Sequence, residues 1–283
     1  MTGRASYAAD VHVAGQLEAG LLRSRRPHAT VRSIDVAAAR RLPGVHAVLT
    51  AAELGEMSWY DGQSSMLTDV ARFTGDELAV VAAESHAIVD EALALLHVDD
   101  EPLGHVTDPF AALDPDAPLV HDGEQSNQLG DTDRYQRGDV DAALAVADVT
   151  VTATYTTPAQ IHHALESHGA MAMWDGQMLT AYVSTQSIHD VRDGLAEALH
   201  LPVSRVRVIT EHMGGGFGAK QVVWKPTVLA AVLATRTGRP VRLLLDRHGE
   251  RHAVVMMVNH PDAGASQAAQ DALIEWVWSA AAD

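Results

Sequence analysis

Hydrophobic and polar positions along the chain change period repeatedly, and each change marks an element. Residues 11–22 read as a strand, and residues 29–36 alternate in parts before an Ala/Arg-rich stretch that predicts a short helix. Pro43-Gly44 stops that helix, and residues 45–49 form the next strand. Residues 78–83 are a short unbroken apolar run behind Gly75-Asp76, the pattern of a buried strand. Ser85 then stands where an N-cap belongs, ahead of an Ala/Leu-rich helix over 86–96. Periodicity lapses over 102–138, where Pro102, Pro109, Pro115 and Pro118 are spread through Asp-, Gly- and Asn-rich sequence, as in a connecting segment. It returns with Asp139 capping a short helix over 140–146, strands at 149–155 and 179–183, an amphipathic helix at 188–199 and a strand at 206–210. A glycine-rich turn follows, then a helix near 222–235 and a strand at 241–245. Strands mixed with helices in this way predict an α/β (or α+β) chain.

The 283 residues suit about two domains. The pattern divides them into an α/β domain at 1–105, a linker at 106–137, a second α/β domain at 138–260 and a C-terminal helix or tail at 261–283. In the last stretch Ala269, Leu273, Trp276 and Val277 fall at helical spacing, with Trp278 beside them. That stretch reads either as a terminal helix on its own domain or as a docking helix, since Trp is a common interface anchor.

Charge and cysteine content narrow the chemistry. A formal charge of −17 repels phosphate backbones, so nucleic acid is excluded as a partner; the one dense basic run is Arg23-Ser24-Arg25-Arg26. The chain has no cysteine, which excludes disulfides, thiolate catalysis and cysteine-ligated iron–sulfur clusters within it. Any such redox centre belongs to another polypeptide. No apolar h-region follows Met1 and no apolar run approaches the roughly 20 residues that span a bilayer, so the expectation is a soluble, cytoplasmic protein.

Candidate chemistry centres on Gly214-Gly215-Gly216-Phe217-Gly218, set between an expected strand and an expected helix. Without Cβ atoms, the backbone N–H groups of such a turn approach an anion or an oxo ligand closely. A phosphate loop of the G-x-x-x-x-G-K-[ST] type fails, because Ala219 precedes Lys220 and Gln221 follows it. A dinucleotide fingerprint is the rival: Gly214, Gly216 and Ala219 fit G-x-G-x-x-[GA], and Asp246 ends the next expected strand. Glu211-His212-Met213 between strand and glycines, and a late helix start, count against it.

A third reading rests on the ordered segments GRASYAADV, RSIDVAAARRLPGVHAVLTAAEL, FTGDELAVVAAES, RGDVDAALAVADV, QIHHALESHGAMAMWDG, YVSTQSIHDVR and GGGFGAK. Together, from about Gly3 to about His252, they resemble the front portion of the molybdenum-binding subunit of the xanthine dehydrogenase/aldehyde oxidase family. The resemblance implies a hammerhead-type α/β domain followed by the first part of a molybdopterin-binding domain. It places the loop from Gly214 to Gly218 against the molybdenum centre and Gln186, of Ser184-Thr185-Gln186, near the metal's oxo ligand. It implies hydroxylation of an aldehyde or N-heterocycle, with water as oxygen source and molybdenum as two-electron acceptor. Electrons would leave through 2Fe–2S clusters, and often FAD, on partner chains. Gln186 is an uncharged N–H₂ donor, suited to an oxo group, and Phe217 brings a backbone N–H and a ring that excludes water.

Three further features bear on the resemblance. Purine-oxidising members carry glutamate where this chain has Gln221, next to the substrate ring, so a purine is put in doubt. His162, His163, Glu166 and His168 form a dense His/Glu cluster, but the family uses that segment structurally, and no resident metal site of side chains is expected. His248-Gly249-Glu250 is not the family's catalytic-glutamate segment, because Arg247 stands where its first glycine belongs. The resemblance implies that the general-base glutamate belongs to the later portion of the family's subunit and not to this chain, and the expectation is one half of a split molybdenum subunit, active only with the remaining portion. Two alternatives stay open: an inactive truncated relative serving as a scaffold, and an NAD-binding protein using the Gly214 to Ala219 turn.

Overall fold

The computed structural model describes residues 4–245 except 56, 60–63, 129, 131–134, 154, 156 and 158–160. Through the first hundred residues the elements are β1 (Leu17–Arg23), β2 (Ala29–Asp35), α1 (Ala37–Arg41), β3 (Val45–Thr50), α2 (Ala51–Leu54), β4 (Ser58–Trp59), β5 (Ser64–Ser65), β6 (Val70–Ala71), β7 (Glu77–Ala83), α3 (His86–Ala94) and β8 (His97–Pro102). Then come α4 (Val140–Ala145), β9 (Gly169–Trp174), β10 (Leu179–Val183), α5 (Ile188–Ala198), β11 (Val206–Ile209), α6 (Lys225–Thr237) and β12 (Val241–Leu244). The described residues up to 103 and from 161 group into one compact unit, and those between 104 and 160 belong to a second.

The first unit is built on a seven-stranded sheet in the order β11-β10-β9-β12-β1-β7-β3. Its two sequence halves meet where β1 pairs parallel with β12, Leu17 opposite Val241, while the other edge of β1 pairs antiparallel with β7. Every residue of β7 is buried, as its unbroken apolar run predicts. A three-stranded sheet β6-β2-β8 and the pair β4-β5 complete the unit.

Helix α6 is the centre of the core. Ten consecutive residues from Lys225 to Ala234 are buried, so the helix is covered on all sides. Its Leu229 and Leu233 share one apolar cluster with Leu17 of β1, Leu179 of β10 and Leu243 of β12. Gly238, in the left-handed region at φ 64°, ends it. At its start the buried Lys225 ammonium lies 3.1 Å from Glu77 and 3.7 Å from Asp76, tying the helix to β7.

The expected caps are in place: Ser85 accepts from the Ile88 N–H at the head of α3, and Asp139 from the Ala142 N–H at the head of α4. Other expectations shift. β1 begins at Leu17 rather than at residue 11, because a turn through Gly15 (φ 75°) precedes it. The expected strand at 149–155 is not formed: none of its described residues is in a ladder, and Val149, Val151 and Tyr155 are 79, 83 and 82% exposed. Alternation makes a strand only when a neighbour supplies the hydrogen bonds, and among the described residues none does. The expected features at 246–250 and 261–283, Trp276 and Trp278 included, lie outside the described residues.

Candidate functional site

The glycine loop leaves β11 through residues 210–213 and returns at Lys220, and its course follows from what each glycine must pass. A Cβ on Gly214 would stand 2.6 Å from Glu166 Cβ. One on Gly216 would stand 2.5 Å from Cδ and Oε1 of Gln186, so the Gln186 side chain lies across this residue only because it is glycine. Gly215 and Gly218 sit at φ 99° and 94°, where an L side chain is strained. Phe217 between them also has a left-handed backbone, φ 52°. Its ring lies beside Gly215 and remains 71% exposed.

Gln186 is held by its oxygen. Its Oε1 accepts the Gly218 N–H at 2.9 Å and the Lys220 N–H at 3.2 Å, and its own backbone N–H donates to the Lys220 carbonyl at 2.8 Å. Two N–H donors on one oxygen fix the orientation of the amide and turn Nε2 away from them. Among the described residues, neither Nε2 nor the backbone N–H groups of Gly215, Gly216 and Phe217 has a protein acceptor. Four donors are thus left on and around a loop lacking Cβ atoms, a set that fits an electronegative ligand such as an oxo group or anion. No charged side chain is needed to present them.

Behind the loop lies a buried polar network that sequence reasoning missed. The Glu166 carboxylate accepts the Gly214 N–H at 2.8 Å, the Ser184 hydroxyl at 2.7 Å and the Ala8 N–H at 3.2 Å. The Lys220 side chain is fully buried and donates to Ser184 Oγ at 2.6 Å and to the Glu166 carbonyl at 2.7 Å. Burial pulls the Lys220 ammonium below its ordinary pKa, and the nearby Glu166 charge opposes that fall. The dense polar residues around Glu166 were the available signal, but the Lys220–Glu166 contact joins residues 54 apart and the Ala8–Glu166 bond residues 158 apart.

His168 and Trp224 close the far side. Both His168 Nε2 (3.1 Å) and Trp224 Nε1 (2.6 Å) donate to the Ala219 carbonyl, and the two rings meet edge-on at 5.2 Å. Burial lowers the His168 pKa, which favours the neutral ring, and the bond to the Ala219 carbonyl places a proton on Nε2. With Glu166 and His168 both engaged in these bonds, the cluster with His162 and His163 is not assembled as a ligand set; among the described residues no three His, Cys, Asp or Glu groups are placed to hold a metal. Gln221 follows Lys220 with its side chain exposed and without a hydrogen-bond partner among the described residues.

Two features separate this loop from a dinucleotide site. Helix α6 begins at Lys225, after a turn that follows Ala219, so its N-terminus does not abut the glycines. β12 stands three places from β11 in the sheet, so β11, α6 and β12 are not the adjacent βαβ unit a nucleotide crevice requires. A cleft of about 270 Å³ in the first unit is lined by Tyr7, His12, Tyr182 and Glu211 among others, and by none of the residues from Gly214 to Gly218. The loop is an open wall. Among the described residues no helix is long and apolar enough to cross a membrane.

Known proteins share this architecture. Residues 2–103 match the family described as aldehyde oxidase and xanthine dehydrogenase, a/b hammerhead domain, and residues 120–263 match the molybdopterin cofactor-binding domain. The chain is 34% identical over 264 residues to the nicotinate dehydrogenase large molybdopterin subunit of Eubacterium barkeri, a match covering 92% of this chain and 61% of that one. It is 33% identical over 261 residues to the nicotine 6-hydroxylase large subunit of Paenarthrobacter nicotinovorans, covering 87% of this chain and 32% of that one. The crystal structure of quinoline 2-oxidoreductase from Pseudomonas putida 86 superposes with a TM-score of 0.80 at 33% identity, over 88% of this chain and 33% of that one. The chain therefore spans between a third and three-fifths of the length of these relatives. With hammerhead and cofactor-domain matches in order, it belongs to the xanthine dehydrogenase/aldehyde oxidase family of molybdopterin-binding oxidoreductase subunits.

Proposed function

We propose that this chain forms one wall of a molybdenum-molybdopterin centre that oxidises an aldehyde or an N-heterocycle. The observation that carries the reading is the locked Gln186 amide, whose Oε1 is held by Gly218 and Lys220 while Nε2 meets no acceptor among the described residues. The group that would sit there supplies the two-electron oxidation, with water as the oxygen source. The chain's own part is binding and orientation. The N–H groups of Gly215, Gly216 and Phe217 and Nε2 of Gln186 would donate to its electronegative atoms without changing its charge. The Phe217 ring, exposed here, would exclude water once a facing surface covers it.

Gln221, which carries no charge, disfavours a purine in the place where purine-oxidising relatives hold a glutamate. Relatives named for nicotinate, nicotine and quinoline support the N-heterocycle class. The general-base glutamate and the facing wall come from polypeptide outside these residues, and electrons pass to 2Fe–2S and FAD groups on partner chains. One relative supports a division of the molybdenum subunit between chains: a similar stretch fills 61% of the Eubacterium barkeri subunit but 32% of the nicotine hydroxylase subunit, so the former is little more than half as long.

The test is molybdenum content. The chain is purified alone and together with the polypeptides that complete the enzyme, and metal is measured in each. The expected result is about one molybdenum per chain in the assembly and almost none in the lone chain. Absence of molybdenum from both would overturn the reading and leave a scaffold.

A further inference from the structure

The segment Ser184-Thr185-Gln186 resembles its family at Gln186, yet all three residues converge on Lys220. Ser184 Oγ accepts from the Lys220 ammonium at 2.6 Å, Thr185 Oγ1 donates to the Lys220 carbonyl at 2.9 Å, and Gln186 takes the Lys220 N–H and returns its own to that carbonyl. The ammonium reaches on to Glu166, through the Glu166 carbonyl at 2.7 Å and through Ser184, whose hydroxyl donates to Oε2 at 2.7 Å. Glu166 in turn holds the other end of the loop, exchanging backbone and side-chain bonds with Gly214 at 3.1 and 2.8 Å.

Both ends of an open loop thus meet on one buried ion pair. Lys220 is 0% exposed and the Glu166 side chain 8%, with nitrogen and oxygen 4.0 Å apart. Taking two charges out of water is costly, and an apolar pair of similar volume would pack the same space at no such cost. The arrangement has a use if position is what it supplies. Lys220 is coupled through its main chain to Gln186 and through its side chain to Glu166, so the side-chain anchor fixes where the Gln186 amide lies.

We infer that Lys220, Ser184 and Glu166 form a buried latch that sets the pitch of the glycine loop and the aim of Gln186 before any ligand binds. They are positioning residues, acting through Gln186 and the loop amides. The inference rests on the cofactor reading for its purpose but not for its geometry.

The test compares Ser184→Ala, Ser184→Thr and Lys220→Met in the intact chain and in its assembly. Hydrogen exchange of the Gly218 and Lys220 amides, both held by Gln186 Oε1, reads the latch without any cofactor. Ser184→Ala and Lys220→Met are expected to speed that exchange by roughly tenfold, the worth of a lost charge-assisted hydrogen bond, and Ser184→Thr to restore protection. In the assembly, molybdenum content is expected to fall with Ser184→Ala and to recover with Ser184→Thr. Unchanged exchange in Ser184→Ala overturns the latch, as does a Ser184→Thr variant no better than Ser184→Ala. If Lys220→Met does not fold, the two serine variants decide alone. Absence of molybdenum in the unaltered assembly overturns the cofactor reading instead, and the exchange data still judge the latch.

Discussion

Gly216 and Gly218 are two residues apart and are glycine for different reasons. At Gly216 an added methyl would stand 2.5 Å from the Gln186 amide, whereas at Gly218 it would meet nothing within 4 Å and the constraint is the φ of 94° alone. Gly218→Ala is therefore a backbone-strain variant, expected to lower unfolding free energy by about 1 kcal/mol while Gln186 stays in place. Gly216→Ala forces the more flexible partner to move, and Gln186 swings out, forfeiting the bonds to the Gly218 and Lys220 N–H groups. Its stability cost is of similar size, about 1–2 kcal/mol, but its molybdenum content in the assembly should fall while that of Gly218→Ala is kept. Urea titration beside metal analysis checks the pair, and equal metal content in the two variants contradicts the role given to Gln186. At this scale the sequence was half legible. The glycines stand in a short motif with its own physics, and Gln186 was reached through the family resemblance of Ser184-Thr185-Gln186. Glu166, Ser184 and Lys220 did not declare themselves, because a buried ion pair is written in residues 54 positions apart with no local period.

The elements that were legible are those whose burial leaves a pattern. β7 is apolar from Leu78 to Ala83 because both its faces are covered, and α5 is amphipathic because Val191, Leu195 and Ala196 face inward. β9 and β8 were overlooked: Gly169-Ala170-Met171-Ala172-Met173-Trp174 has no alternation, and β8 carries Asp99, Asp100 and Glu101 on the edge of a small sheet, where acidic residues meet water. The short helix α2 was missed too, although its cap is strong. The Glu53 carboxylate accepts from the Thr50 N–H and hydroxyl and pairs with Arg40 of α1 at 2.5 Å, joining α1, β3 and α2. Partial burial pushes the Glu53 carboxyl up, but Thr50 and Arg40 outweigh it and hold the pKa at about 2, against an ordinary 4.5. A folded-state pKa below the unfolded one means the group adds stability above pH 4.5 and loses it as pH falls through about 2. With a third of the side chain exposed, solvent screening reduces the effect to roughly 1 kcal/mol. Glu53→Gln should therefore flatten the acid limb of stability between pH 4.5 and about 2 by that amount, measured by urea titration at each pH. An acid limb identical to that of the unaltered chain would show the cap to be idle.

Over the whole molecule, the sequence divides more cleanly than the sheet does. The hammerhead match ends at residue 103 and the cofactor-domain match begins at residue 120, yet β1 from the first is clamped between β7 and β12, and β12 belongs to the second. Linear pattern reading cannot see this, because a parallel pairing between residues 17 and 241 leaves no mark on either strand. The consequence is energetic. Leu17 is fully buried in the cluster that also holds Leu179, Leu229 and Leu243, so its side chain serves both modules at once. Leu17→Ala should cost about 3 kcal/mol, the transfer of the lost methyl groups plus the cavity they leave. The decisive quantity is where that loss is felt. If the seven-stranded sheet is one cooperative body, exchange at β7 and at β10 responds together, because opening either strand requires breaking the sheet that joins them. If each module folds by itself, Leu17→Ala weakens β7 and leaves β10 at its original protection. Hydrogen exchange at residues 77–83 and 179–183, followed through a urea series, separates these outcomes, and the shared midpoint is the expected one. A shared midpoint would make the hammerhead the inner support of the cofactor wall, with β1 transmitting through β12 and β9 to the strand β10 that leads into Ser184, Thr185 and Gln186.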